Sequence, residues 1–86
     1  MTEKEIQLLG LQKEYIGEYE GDESYYYALD VVNGLTFITP ANEELKNDDW
    51  YVEIFNTDPY IRFHEFGEVQ RLINQLTKAI VKDEKH

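Results

Sequence analysis

The residues best placed to do chemistry in this chain are its carboxylates. Glu18, Glu20, Asp22, Glu23 and Asp30 crowd the first expected hairpin, and Asp48, Asp49 and Glu53 gather past the middle. Two carboxylates can divide general acid and general base work when an apolar pocket and a polar site separate their pKa values. Nothing in the sequence marks such a pocket, so no catalytic activity is expected. Asp48, Asp49 and Glu53 carry oxygens that suit calcium, but they lack the Asp-x-Asp-x-Asp-Gly loop pattern. His64 and His86 are the only histidines, there is no cysteine, and neither His-x-x-x-His nor Glu-x-x-His spacing occurs. Ser24, the lone serine, stands beside a turn and in no nucleophile elbow, and no glycine-rich phosphate loop is present. No metal and no cofactor are expected.

What sets these carboxylates apart is missing counter-charge. Residues 14 to 61 hold twelve acids against a single base, Lys46, together with ten of the chain's twelve aromatic residues. Segments 1–13, 14–61 and 62–86 carry 0, −11 and +1, which accounts for the net charge of −10. Ordinary surfaces intersperse both signs. An anionic surface disfavours nucleic acid and anionic lipid, which are held by Lys and Arg, and attracts basic proteins. Mimicry of nucleic acid is a narrower version of the same idea. Eleven charges match only about 19 Å of duplex, and alternate residues on one strand face lie roughly 6.7 Å apart. Several strands would have to pool their acids on one surface.

The elements that must position these residues read as α+β. Thr2-Glu3-Lys4-Glu5 fits a capping box, so a short helix is predicted to begin there and to end near Leu9 to Gln12, where Gly10 weakens it. From Glu14 the pattern alternates, which predicts a strand with one wet face. A second strand, Ser24 to Val32, sets Tyr25, Tyr27, Leu29 and Val31 against Tyr26, Ala28, Asp30 and Val32. Leu29 and Val31 should draw Tyr25 and Tyr27 inward, which leaves Tyr26 beside Asp30 as an amphipathic anchor of the kind tyrosine supplies at protein interfaces. Asn33-Gly34 predicts a type I′ hairpin turn, with Leu35 to Thr39 returning.

Pro40 is expected at the first position of a capped helical turn. Trp50 to Asn56 alternates again, with Trp50, Val52 and Ile54 opposing Tyr51, Glu53 and Phe55, and Tyr60 to Phe66 follows as a further strand beyond Asn56-Thr57-Asp58-Pro59. Val69, Leu72, Ile73, Leu76 and Ile80 then fall on one helical stripe, with Lys82 and Lys85 near the negative end of its dipole. The expected architecture is a single domain over residues 1–86: an antiparallel sheet of about five strands in a meander, a C-terminal amphipathic helix on one face, and a short N-terminal helix.

With no basic leader followed by an apolar run and no membrane-length apolar stretch, a cytoplasmic protein is expected, and the lack of cysteine suits a reducing compartment. One helix can cover only one sheet face, so the other must be wet or must meet a partner. The functional expectation is a small acidic binding protein. Its tyrosine-rich sheet surface, comprising Glu18, Glu20, Asp22, Glu23, Tyr26, Asp30, Asp48, Asp49 and Glu53, docks on a basic, possibly nucleic-acid-binding, protein and inhibits or modulates it. The alternative is a structural module whose uncovered sheet face pairs with itself in a homo-oligomer.

Overall fold

The computed structural model describes residues 1–17 and 23–80. Helix α1, Glu3–Leu8, begins at the capping box: the Glu5 N–H donates to Thr2 Oγ1, and the Thr2 N–H donates to Glu5 Oε1 at 2.9 Å. It ends sooner and more sharply than propensity alone would require. Gly10 takes φ +99°, a conformation that costs a residue with a Cβ, and turns the chain directly into strand β1, Gln12–Tyr15. The first strand therefore starts two residues ahead of the expected Glu14. It ends at Tyr15, so Ile16 and Gly17 do not extend it as the alternation predicts, and the rest of the expected run, Glu18 to Glu20, lies outside the described residues.

Strands β2 (Tyr25–Val32), β3 (Leu35–Ile38), β4 (Val52–Ile54) and β5 (Arg62–Phe63) complete a five-stranded antiparallel sheet in the order β1-β2-β3-β4-β5. The expected meander is what forms. Its β2-β3 connection differs in detail from a type I′ turn, which needs positive φ at both central residues. Gly34 has φ +90° but Asn33 does not share it, and the register slips between Asp30 and Val32. The extra residue is absorbed by this irregularity, so one glycine suffices to reverse the chain.

Beyond β3 the Tyr27 and Thr39 peptides face each other, and the buried Thr39 hydroxyl accepts the Tyr27 N–H at 3.0 Å while donating to the Pro40 carbonyl. Pro40 has no N–H and ends the pairing. It precedes the following turn rather than opening it: a 3-10 turn spans Asn42–Glu44 after Ala41. Asn42 Oδ1 instead accepts the Tyr25 N–H at 2.9 Å, closing a backbone donor at the start of β2.

Strand β5 is only two residues long, because Phe66 already belongs to helix α2, Phe66–Ala79. Val69 is fully buried on this helix, with Leu72, Ile73 and Leu76 half-buried against the same core. Ile80 does not join the stripe. Its backbone is extended at ψ 121° and its side chain is 40% exposed, since the helix has ended before it. Lys82 and Lys85 lie outside the described residues.

Both helices pack on one face of the sheet. Ile6 of α1 and Val69 of α2 share a core with Tyr27, Phe37, Trp50 and Val52, and Tyr25, Leu29, Val31, Ile54 and Phe63 flank it from the same strand faces. The inward parity expected for Tyr25, Tyr27 and Trp50 is the one observed. Among the described residues no helix is long and apolar enough to cross a membrane.

Candidate protein-binding face

The opposite face of the sheet carries no helix. Its side chains follow from the register: Gln12 lies opposite Ala28, Ala28 opposite Ile38, Ile38 opposite Glu53, and Glu53 opposite Arg62. Opposed residues in a ladder point the same way, so these five form one row across the whole sheet. Two residues away along β4, on either side of Glu53, stand Tyr51 and Phe55. On β5 the matching neighbours of Arg62 are Tyr60 and His64. Each side of the row thus holds a pair of rings. Tyr51 and His64 lie 5.4 Å apart by centroid, and the Arg62 guanidinium sits 4.9 Å from the Tyr51 centroid. Arg62 also donates from Nε to Glu53 Oε2, which makes the centre of the row an ion pair.

A groove of about 910 Å³ opens over this face. Ile38 and the Glu53-Arg62 pair form its floor, while Pro40, Ala41 and Glu44 stand on one side and Asn56 to Tyr60 on the other. The two walls are the loops that flank β4. Asn56 adopts φ 64°, which asparagine tolerates better than most residues, and this turns the chain back toward β5. Several of the rings are left uncovered: Phe55 is 58% and Tyr60 73% exposed, and Ile16 at the far end of the groove is 48% exposed. Tyr26 is half-buried at the same end.

Among the described residues, the sequence-predicted acids are divided between the groove and other parts of the surface. Of the expected site residues, Tyr26 and Glu53 line the groove. Asp30 is exposed on the same face, where it accepts a hydrogen bond from Thr36 Oγ1 at 2.5 Å. Asp48 and Asp49 belong to the loop entering Trp50; Asp49 lies 3.8 Å from the Met1 ammonium, and neither residue reaches the groove. Glu23 is exposed and also outside it. Glu18, Glu20 and Asp22 lie outside the described residues. Among the described residues, no three His, Cys, Asp or Glu side chains gather in a way that could hold a metal ion.

Two carboxylates that were not singled out from sequence take their place. Glu44 and Asp58 stand on opposite walls of the groove, and among the described residues neither has a cation within ion-pair distance. Glu44 accepts the Ala41 N–H at 2.9 Å, which fixes its position on the wall. The alternation of Tyr51, Glu53 and Phe55 was the signal that could have found the ring pairs. The same alternation links Tyr60, Arg62 and His64 on β5.

The helix-covered face holds a second aromatic group that is closed on itself. Tyr25 and Tyr27 both donate to Glu3 Oε2 at 2.7 Å, and Gln7 Nε2 donates to the Tyr27 hydroxyl at 2.9 Å. Trp50 stacks on Tyr25 at 6.2 Å and meets Tyr27 edge-on at 5.5 Å. Lys13 Nζ lies 4.2 Å from the Tyr25 centroid. The hydrogen bond to Glu3, helped by burial and by the carboxylate's charge, pushes the Tyr25 hydroxyl up to about 12. Tyr27 is raised too, by burial first and then by Glu3. These groups have partners already and fasten α1 to β2.

No protein-family model matches the chain, and neither a curated protein nor a solved structure is significantly similar to it.

Proposed function

We propose that this chain is a small acidic binding protein, not an enzyme, that docks the uncovered face of its sheet on a basic protein in the cytoplasm and inhibits or modulates it. The observation that carries the reading is the groove itself. Exposed Phe55 and Tyr60 line the same groove as Glu44 and Asp58, two wall carboxylates with no cation in ion-pair distance among the described residues, on the face that neither helix covers. Exposed rings provide desolvated anchors, and unopposed carboxylates provide orientation and speed of encounter. Among the described residues, the negative charge that reaches the groove lies in Glu53 on its floor and in Glu44 and Asp58 on its walls.

The test is capture from native cell extract at low salt by the intact chain and by a variant carrying Phe55→Ser, Tyr60→Ser and Asp58→Asn. The reading expects a basic protein that binds the wild type, is lost from the variant, and is released between about 50 and 500 mM salt as the charges are screened. A partner retained equally by the variant, or an acidic one, overturns it. Sedimentation at the same two salt concentrations examines self-pairing, which screening of like charges should strengthen.

A further inference from the structure

We propose that the groove receives a proline-rich segment bearing Arg or Lys, bound as a polyproline II helix; this rests on the reading of the uncovered face as a site for a basic protein. The argument begins with what the floor can offer. The backbone N–H and C=O groups of a sheet point within its plane, so a groove on its face presents side chains only and offers an incoming strand no ladder. A suitable occupant must need no backbone partner from the protein.

Two conformations meet that condition, the α-helix and polyproline II. A helix in a groove lays down a continuous apolar stripe, with anchors at i, i+3, i+4 and i+7. This floor is interrupted at its centre by the Glu53-Arg62 ion pair, which separates Tyr51 on one side from Phe55 and Tyr60 on the other. Tyr51 and Phe55 flank β4, four residues apart and about 13 Å if the chain between them is extended, a span that about four residues of polyproline II cover. Separate aromatic patches suit the pyrrolidine rings of that helix, whose backbone stays hydrated in an open groove. Glu44 on one wall and Asp58 on the other then supply the complement for cationic side chains flanking the prolines. A second copy of this chain fits poorly, because its own −10 charge would face these carboxylates.

Titrating the full, isotopically labelled chain with three synthetic peptides of about twelve residues decides the matter: Arg-Pro-Pro repeats, helix-forming Arg-Ala-Ala repeats, and Glu-Pro-Pro repeats. The expected result is that Arg-Pro-Pro alone shifts the amide signals of Ile38, Tyr51, Phe55 and Tyr60, and that Tyr60→Ala weakens this binding about tenfold while leaving the remaining spectrum in place. Equal or tighter binding of Arg-Ala-Ala at those residues overturns the polyproline assignment and leaves the basic-partner reading standing. Equal binding of Glu-Pro-Pro overturns the charge complement. Silence from both arginine peptides at the groove overturns this proposal and the reading beneath it together.

Discussion

The two faces of this sheet use the same residue types to opposite ends. On the covered face Tyr25, Tyr27 and Trp50 are pressed together under α1, and both tyrosine hydroxyls reach one carboxylate, Glu3. On the open face Phe55 and Tyr60 stand uncovered in a groove that Glu44 and Asp58 also line, and among the described residues Tyr60 makes no hydrogen bond to either carboxylate. An aromatic and an acid together are thus no sign of function in themselves. What separates the two regions is closure: the rings on the covered face are packed against one another, while Phe55 and Tyr60 on the open face remain in water.

That contrast can be broken most forcefully at Trp50, which is 2% exposed and touches both Tyr25 and Tyr27. Trp50→Ala leaves a large cavity in a small core and should destabilise the fold by about 3 to 5 kcal/mol, a large share of the net stability of a domain of this size. Chemical denaturation followed by far-ultraviolet circular dichroism measures it. A loss under about 1 kcal/mol would mean that the covered face is not the core.

A smaller effect is expected at Thr39. Its hydroxyl is the acceptor for the Tyr27 N–H where Pro40 breaks the ladder, and the residue is 3% exposed. Thr39→Val keeps the shape but strands a buried donor, which costs about 1 to 3 kcal/mol. Thr39→Ser retains the hydroxyl and should recover most of the loss. If valine and serine behave alike in urea melts, the hydroxyl is not what closes the β2 backbone.

Much of this arrangement was legible in the sequence, for reasons that also explain the misses. Period-two alternation located the inward residues Tyr25, Tyr27 and Val52 and the outward Tyr26, because strand geometry permits only two directions. The capping box fixed α1 because its signal is local. For Asp48 and Asp49 the clustering of acids was no guide, because sequence proximity says nothing about where loops go. Asp48 and Asp49 adjoin β4 in sequence, but Asn47 and Asp48 adopt φ 58° and 54° and carry the chain toward the amino terminus instead of the groove. Conversely, Glu44 and Asp58 are sequentially remote and become wall partners only when the two loops flanking β4 rise on the same face. The Pro40 and Asn33 details depended on register, which long-range pairing determines.

The Glu3 clamp makes a pH prediction. A tyrosine whose folded pKa exceeds its ordinary value of about 10 holds its proton more tightly in the folded state. Its contribution to stability is therefore complete below pH about 10 and is lost as pH rises through the folded value, which for Tyr25 is about 12. Stability should fall across that window. Glu3→Gln removes the carboxylate and should move one tyrosine titration, followed by phenolate absorbance, back toward 10. It should also cost about 1 kcal/mol at neutral pH, the difference between a charge-assisted hydrogen bond and the neutral one that the glutamine oxygen can still accept. An unchanged titration curve would release α1 from its assigned anchor.

The smallest expected effect on stability is the sharpest test of the comparison. Phe55 and Tyr60 are as aromatic as Tyr27 and Trp50, yet over half of each side chain remains in water. Replacing Tyr60 with alanine removes little buried area, so its melting midpoint should change by an amount equivalent to less than about 0.5 kcal/mol. The same substitution should weaken binding at the groove about tenfold, since an exposed ring gains its desolvation only when a partner arrives. Tyr27→Ala should do the reverse, lowering the denaturation midpoint well before any measure of binding becomes meaningful. A large stability loss at Tyr60 would mean that this ring is already packed into the fold. The division between a packed face and an open one would then fail at Tyr60, which is more exposed than Phe55.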